Sequence, residues 1–437
     1  MQKTTKNNGL VWFRNDLRTL DNTSLHKACA HNGRVIGVYC LDPFYFEESP
    51  FGFQKTGKFR AKFLLESLSD LKSELEALNI PLFVLHEASE KAIQRLVEKF
   101  DINTIYFQNE WTSEEKSIET KVRMAVDDDV KFESFYDQFL FHPDDAVSED
   151  FSNIPKVFTN FRKSVEKKVK VRPTLPKPSK QKTLKPHETP AIPTLEDLGF
   201  EDFQTHPSSA FPFQGGNTSA NARLDNYFFK TKKLGVYKKT RNGLVGTNYS
   251  SKFSPWLANG GISARTIFEN VKAFEQEHFK NQSTYWLIFE LIWRDFFKYI
   301  SLKHGNSIFQ LSGILDKDYH WETDERLIQQ WIDGETNSDF VNANMLEIKH
   351  TGWMSNRGRQ NVASYFAKTL NLDWRIGASY FESLLLDYDV HSNYGNWLYV
   401  AGVGNDPRDR VFNVDLQAER YDGQGKFRNL WLQPKLF

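Results

Sequence analysis

Two periodicities divide the chain. Over the first 140 residues, short runs rich in Val, Ile, Phe and Tyr recur at Gly9–Phe13, Arg34–Leu41, Pro81–His86, Thr104–Gln108 and Lys131–Tyr136. Between them lie stretches with apolar residues every three or four positions. The longest runs from about Thr56 to Leu78 and is carried by Phe59, Phe63, Leu64, Leu68, Leu71, Leu75 and Leu78. The runs predict strands and the wider spacing predicts helices. Strands alternating with helices predict a doubly wound, parallel five-stranded sheet with helices on both faces. From about Gly215 onward the spacing is helical, as in Ser283–Leu302 and Gln360–Leu370, with little strand signal. The expected fold is α/β over residues 1–142, a linker over 143–212, and an all-helical domain over 213–437.

The linker has its own signature. Between Arg162 and Pro186, ten basic residues face one acid, Glu166, and prolines from Pro173 to Pro193 lie in or just after the run. Apolar periodicity lapses from Arg162, which predicts an extended linker or a long surface connection. Such a run is ordinarily a solvated segment, with contact to nucleic acid as the sharper reading.

Composition narrows the function classes. At roughly 100–200 residues per domain, 437 residues allow two to four domains with ample core. Lys+Arg and Asp+Glu are both 56, so no global basicity marks a nucleic-acid binder, although a local patch can still act as one. Two cysteines, Cys29 and Cys40, exclude a disulfide framework and any four-cysteine cluster. There is no window of 18 apolar residues to span a membrane, and MQKTTKNNGLVWF carries no apolar signal region. The expected compartment is the cytoplasm, and the glycosylation patterns at Asn22, Asn217 and Asn281 are read as chance. The unusual feature is an aromatic content of 15%. Most of these rings must be core, but they are numerous enough for some to stack on a planar ligand.

Several familiar sites are excluded. GFQKTGKF at Gly52–Phe59 nearly matches a phosphate-binding loop but has Phe59 where Ser or Thr must hold magnesium. No G-x-G-x-x-G turn follows the first strand, and no H-E-x-x-H, Cys/His cluster or G-x-S-x-G occurs. Neither a metal nor a serine nucleophile is expected.

Three other regions carry candidate chemistry. On a helix, Trp286, Glu290, Trp293, Arg294 and Phe297 share one face. Charges on such a face must pair or meet a polar ligand. An internal Glu290–Arg294 pair and a cavity floor with an aromatic platform both satisfy that demand. Hydroxyls and Lys252 cluster in Thr247–Ala258, just before the Ser254-Pro255 helix start. That arrangement suits a pyrophosphate, or a plain N-cap with Pro at the first helical position. Finally, Asn356, Arg357 and Arg359 have candidate partners in Asp387 and Asp389. Two stretches this dense in polar and aromatic residues suggest a polar, planar cofactor.

The motifs GWMSNRGRQ, LDWR, LLDYD, SNYGNW, AGVGNDPR and FELIWRDFF, with the opening VWFRNDLRTLDN, resemble the cryptochrome/photolyase family. SNYGNWLYVAGVGNDPR and YSSKFSPWLA resemble its cryptochrome DASH branch. The resemblance covers nearly the whole chain and is weakest in the linker. It implies that the helical domain binds FAD folded back on itself. Tyr237, Ser250, Ser251, Lys252, Phe253 and Ser254 would surround the phosphates, and Asn356, Arg359, Asp387, Asp389 and Asn393 the flavin ring and adenine, with Glu290 and Arg294 also in the site. It further implies that light-excited reduced flavin donates an electron to a pyrimidine dimer expelled from DNA, the cyclobutane ring splits, and the electron returns. Such chemistry needs no acid/base triad. By the same resemblance Glu290 hydrogen-bonds the dimer, Trp293 and Tyr399 stack on it, and Arg357 approaches the lesion or its backbone.

Two residues depart from the duplex-repairing photolyases: Tyr399 replaces a second Trp, and Gln360 replaces a Met beside the lesion. Both match the DASH branch, which is associated with single-stranded substrate. A weaker cavity cannot offset the unstacking that a duplex demands. Trp397, Trp374 and Trp321 match the family's tryptophan chain from flavin to surface. A 5,10-methenyltetrahydrofolate antenna is expected between the domains, with Glu110 accepting from the pterin, although Thr112-Ser-Glu-Glu also reads as a helix capping box. The expected activity is deoxyribodipyrimidine photolyase on cyclobutane dimers in single-stranded DNA. Undamaged DNA or RNA are further partners, and the protein is expected to be a monomer away from membranes. The competing readings are a blue-light receptor with the same flavin and a nucleic-acid-binding regulator. The short segment after Asp415-Leu-Gln-Ala-Glu-Arg-Tyr favours the enzyme.

Overall fold

The computed structural model describes residues 7–147, 150–182, 189–406 and 408–433. Lys185 and Pro186 of the basic run and Pro407 of AGVGNDPR lie outside the described residues. The predicted apolar runs form β1 (Asn8–Trp12), β2 (Arg34–Cys40), β3 (Leu82–Leu85), β4 (Thr104–Gln108) and β5 (Lys131–Phe135). They pair entirely in parallel, in the order β3-β2-β1-β4-β5. Alternate strand residues feed two cores. Val11, Val35 and Tyr106 pack under α1 (Thr23–His31) and α2 (Lys58–Ala77). Leu10, Trp12, Ile36, Val38, Ile105 and Phe107 pack under α3 (Ser89–Phe100) and α4 (Ser113–Ala125). A sheet covered on both faces needs apolar residues at both parities, which explains the unbroken runs. The strand order reverses between β1 and β4. That switch point opens a crevice at the carboxyl edge, where doubly wound sheets bind ligands.

The connecting segment differs from the extended chain expected from Arg162. A helix, α5 (Phe158–Lys168), runs seven residues into the basic stretch, with Phe158, Phe161 and Val165 buried. Its apolar period begins before Arg162, so a count started at the charges misses it. Beyond it the chain lies along the sheet domain through Leu175 O, which accepts from Asp21 N (2.9 Å), and Gln181 N, which donates to Leu78 O (2.8 Å). Leu195 and Leu198 are buried in the α1/α2 core.

The remaining elements that position the site are helical: α6 (Ser254–Ala258), α7 (Ala264–Glu277), α8 (Gln282–His304), α9 (Asp339–Thr351), α10 (Asn356–Ser364), α11 (Trp374–Leu384) and α12 (Val390–Ala401). The Gln360–Leu370 pattern straddles the end of α10 and a wide π-type turn over Tyr365–Thr369. Gly377 on α11 is required by close approach, because a Cβ there would lie 2.3 Å from the Trp397 ring.

A buried charge cluster joins the two halves. Arg265 on α7 donates to Asp21 at 2.7 and 3.0 Å and to Asp137 at 3.1 Å. Ser263 Oγ donates to Asp21 (2.5 Å) and Thr23 Oγ1 to Asp137 (2.6 Å). Asp295 on α8 accepts from the backbone N–H groups of Leu140 (3.0 Å) and Phe141 (2.8 Å). Removing one partner of a buried pair leaves the other charge uncompensated. Arg265→Met is therefore expected to destabilise the protein by about 3–5 kcal/mol. Urea denaturation measures it, and a loss below about 1 kcal/mol would contradict the seam's role.

Candidate functional site

Two cavities adjoin each other inside the molecule. The larger, of about 490 Å³, occupies the crevice predicted by the sheet topology. Its walls combine the ends of β1, β2 and β4 (Arg14, Leu41, Gln108) with α8 and α12 (Arg294, Lys298, His391). The smaller, of about 80 Å³, lies wholly among the helices. Tyr388 and Asp389 line both.

The smaller cavity gathers the five residues predicted for the flavin ring and adenine, and none of those predicted for the phosphates. Asn356, Arg359 and Gln360 reach it from α10; Asp387, Asp389 and Asn393 reach it from the turn into α12, with Trp397 one turn further on. The Ser355 hydroxyl caps α10 by accepting from Gly358 N at 3.0 Å, and Asp389 caps α12 by accepting from Ser392 N at 2.8 Å. Capping thus aims these side chains as well as ending the helices. Arg359 Nη2 donates to both oxygens of Asp387, at 2.9 and 3.0 Å. Asp389 instead pairs with Lys298 at 2.7 Å. Burial opposes ionisation of Asp389, but Lys298 and Arg294 outweigh it and hold the carboxyl well below its usual range. One Asn393 N–H is committed to Ala378 O (3.0 Å), leaving its carbonyl oxygen to accept from a ligand.

The donor set fits a polar, planar cofactor. Among the described residues, Gln360 Oε1 and Trp397 Nε1, buried beside this cavity, have no hydrogen-bond partner. Buried polar atoms left unpaired are costly, so a ligand with matching groups gains by binding here.

The candidate phosphate loop is held from behind by a residue the sequence reading passed over. Arg223 donates to the carbonyls of Thr247, Ser250 and Ser251 at 3.0–3.1 Å and to Asn248 Oδ1 at 2.9 Å. Its only advance signal is an arginine in a helix of small residues. Within the loop Ser251 and Phe253 are buried, Ser250 is half-buried and Ser254 is exposed. Tyr237 is buried nearby, in the short helix Tyr237–Thr240. Lys252 has φ +68° and is buried, with Nζ 3.3 Å from the Tyr249 ring centroid and 4.4 Å from that of Trp353. Among the described residues Nζ has no hydrogen-bond partner, and burial drives its pKa well below the usual lysine value.

Helix α8 presents the mixed face that its periodicity predicted, but not an internal ion pair. Glu290 pairs with Arg241 at 2.6 Å, and burial raises its pKa. Arg294 donates to the carbonyls of Gln138 and, at 2.9 Å, Leu257. Trp293 and Tyr399 adjoin each other with ring centroids 6.5 Å apart and planes at 87°. Among the described residues, Arg357 is held by long contacts to Gln417 (3.3 Å) and Asn242 (3.4 Å), and lies over the Tyr421 ring.

Trp397 and Trp374 are fully buried in one core, against which half-buried Trp321 packs. Backbone pairing of Glu322 with Asn371 and Asp373 brings the Trp321 segment alongside the start of α11. Glu110 is buried on the wall of the larger cavity and accepts from Gln108 Nε2 at 2.8 Å. The Thr112 hydroxyl pairs with the Glu115 side chain rather than capping the backbone of α4.

Residues 9–181 match the DNA photolyase family, and residues 286–436 match the FAD binding domain of DNA photolyase. The cryptochrome DASH of Gloeobacter violaceus is 47% identical over 97% of this chain and 85% of its own. The crystal structure of a Synechocystis cryptochrome superimposes with TM-score 0.93 at 41% identity, covering 99% of this chain and 89% of that one. An archaeal photolyase from Sulfolobus tokodaii, solved with two FAD molecules, matches with TM-score 0.78 at 27% identity, over 98% and 90% of the two chains.

One charge behind the loop makes a pH test. Glu347 is buried, its Oε2 has no partner among the described residues, and burial pushes its carboxyl up to about 8 against the pull of Lys252 and Arg359. A folded pKa above the unfolded value of 4.5 means stability that is complete below 4.5 and is lost as pH rises through 8. Glu347→Gln removes that loss. The variant should gain on wild type by up to ~1.4 kcal/mol per pH unit within that window. Urea midpoints from pH 5 to 8 measure the gap, and parallel profiles would refute the assignment.

Proposed function

Because the chain belongs to the cryptochrome/photolyase family, in its cryptochrome DASH branch, we propose that it repairs cyclobutane pyrimidine dimers in single-stranded DNA under blue light. The carrying observation is the corner formed by Trp293 and Tyr399, with rings at 87°, bordering the helix that bears Glu290. Two pyrimidines joined through a cyclobutane ring are not coplanar, so two inclined aromatic surfaces suit them better than one flat platform. FAD, when bound, supplies light-driven donation of an electron to the dimer and its recovery after ring opening.

The protein's own groups do the rest. Tyr237 and the Ser250–Ser254 loop would hold the phosphates, with Lys252 as the adjacent buried amine and Arg223 setting the loop's shape. The Arg359–Asp387 pair keeps a guanidinium where negative charge must be borne, and Asn356, Asp389, Asn393 and Arg294 fix the cofactor's polar edges. Glu290, whose pKa is raised by burial, is suited to hydrogen-bond a pyrimidine carbonyl once its contact with Arg241 is released. Arg241, missed in the sequence reading, is then free to meet a phosphate. The weakly tethered Arg357 can likewise turn to the DNA backbone. Stacking on Trp293 and Tyr399 is worth on the order of 1–3 kcal/mol per base. Tyr399 and Gln360 give a modest cavity, which disfavours extraction of a dimer from a duplex.

In the larger cavity, Glu110 would be the acceptor for a folate antenna. The volume and aromatic lining support a second planar ligand there. Trp397, Trp374 and Trp321 would carry electrons between the surface and oxidised flavin. The same chain would serve a blue-light receptor, the second reading.

Two measurements test these roles. Reduced, flavin-loaded protein should repair a defined thymine dimer at least tenfold faster in a single-stranded oligonucleotide than in duplex, from the few kcal/mol of unpairing. Equal rates would remove the role given to Tyr399 and Gln360. No repair of either substrate by photoreducible protein would favour the receptor. Separately, Trp397→Phe should slow photoreduction of oxidised flavin at least tenfold, read from bleaching of the flavin band, since a distant donor must replace a near one. An unchanged rate would take Trp397 off the path.

A further inference from the structure

The connector reaches back into the candidate lesion site. Phe158, the first residue of α5, lies parallel to the Trp293 indole, with centroids 3.6 Å apart and planes at 8°. Its edges meet Phe289 (5.1 Å, 82°) and Phe296 (5.6 Å, 75°), both on α8. One turn on, Phe161 repeats the attachment against Phe296 (5.4 Å) and Tyr299 (5.1 Å). Phe158 is 6% exposed, whereas Trp293 is only half-buried. One face of the indole is therefore covered by a ring that is itself locked in place. Phe297 (5.6 Å) and Tyr399 adjoin Trp293 elsewhere.

We propose that Phe158 is a positioning residue for dimer recognition, acting through Trp293. This rests on the reading of Trp293 and Tyr399 as the dimer's stacking surfaces. A half-exposed tryptophan on a helix loses rotamer freedom when a ligand stacks on it, and that loss weakens binding. Phe158 removes the freedom beforehand and leaves a single indole face for the base. The segment between the two halves thus contributes to the site as well as joining them, which gives a reason for α5 to be helical and buried at Phe158 rather than extended.

The test is equilibrium binding of a single-stranded oligonucleotide carrying one thymine dimer to flavin-loaded protein. The variants are Phe158→Ala, Phe158→Tyr, Trp293→Ala and the double variant Phe158→Ala/Trp293→Ala. Phe158→Ala should bind about tenfold more weakly, as expected for one side chain that must now be ordered on binding. Its flavin content and flavin photoreduction rate should match wild type, because the tryptophan chain lies elsewhere. Phe158→Tyr, which keeps the ring, should restore tight binding. In the Trp293→Ala background, Phe158→Ala should cost nothing further. Wild-type affinity for Phe158→Ala beside weak binding by Trp293→Ala would overturn the positioning role alone, as would equal losses in both backgrounds. Wild-type affinity for Trp293→Ala would instead overturn the stacking surface on which the inference rests. If Phe158→Ala fails to retain flavin, Phe158→Leu, which fills the space without a flat ring, carries the same comparison.

Discussion

The two halves of this molecule are held in register by charges that water does not reach. Arg265 sits between Asp21 and Asp137, and Arg18 donates to the carbonyls of Asp21 and Gly260 from the same buried region. Each of these groups would be prohibitively unfavourable alone in the interior, so none can move without the others. That rigidity fixes the carboxyl edge of the sheet against α8 and α12. The crevice at the strand-order switch thereby becomes a cavity with one wall from each half. Asp295 reinforces the seam by accepting the N–H groups of Leu140 and Phe141, donors that no strand or helix satisfies.

Helix α8 carries several tasks because helical geometry separates them by angle. Asp295 and Tyr299 dock the sheet domain, Tyr299 donating to Phe141 O at 2.7 Å. Lys298 reaches Asp389 between the cavities, and Arg294 binds carbonyls at the seam. Glu290 and Trp293 face the candidate lesion site, with α5 behind the latter. A disturbance on any side of this helix is transmitted to the others through one rigid rod. The aromatic excess has the same logic. Large flat rings such as Phe158, Phe296 and Tyr299 fill the interfaces with few rotatable bonds, so positions are held at little entropic cost.

Much of this was legible in the chain. The five strands, α2 and α8 follow from spacing, because a sheet buried on both faces must be apolar at every position and a packed helix at every third or fourth. The membership of the smaller cavity was also legible. Asn356 and Arg359 fall within one turn, as do Asp389 and Asn393, so local geometry sends each set to a common side. Three features were not. Arg223 and Arg241 act across 24–28 and 49 residues of sequence respectively, and no local pattern marks their targets. Glu290 and Arg294 are correctly spaced for a helical ion pair, yet each has a stronger partner brought by another segment. The helix at Phe158–Lys168 was hidden by its charges, since its apolar face is paid for by α8 rather than by the sequence around it.

By itself, then, the sequence determined the elements, their order, the parallel sheet and the family of chemistry, since these depend on interactions within a few turns or on motifs read in a row. The tertiary structure decided which charges pair, that Asp389 stands between two cavities, and that Trp293 has one face covered by Phe158 of the connector. These outcomes depend on which of several chemically equivalent partners lies nearest after packing. That competition is resolved only when desolvation makes each unpaired group costly and distance selects among the groups available.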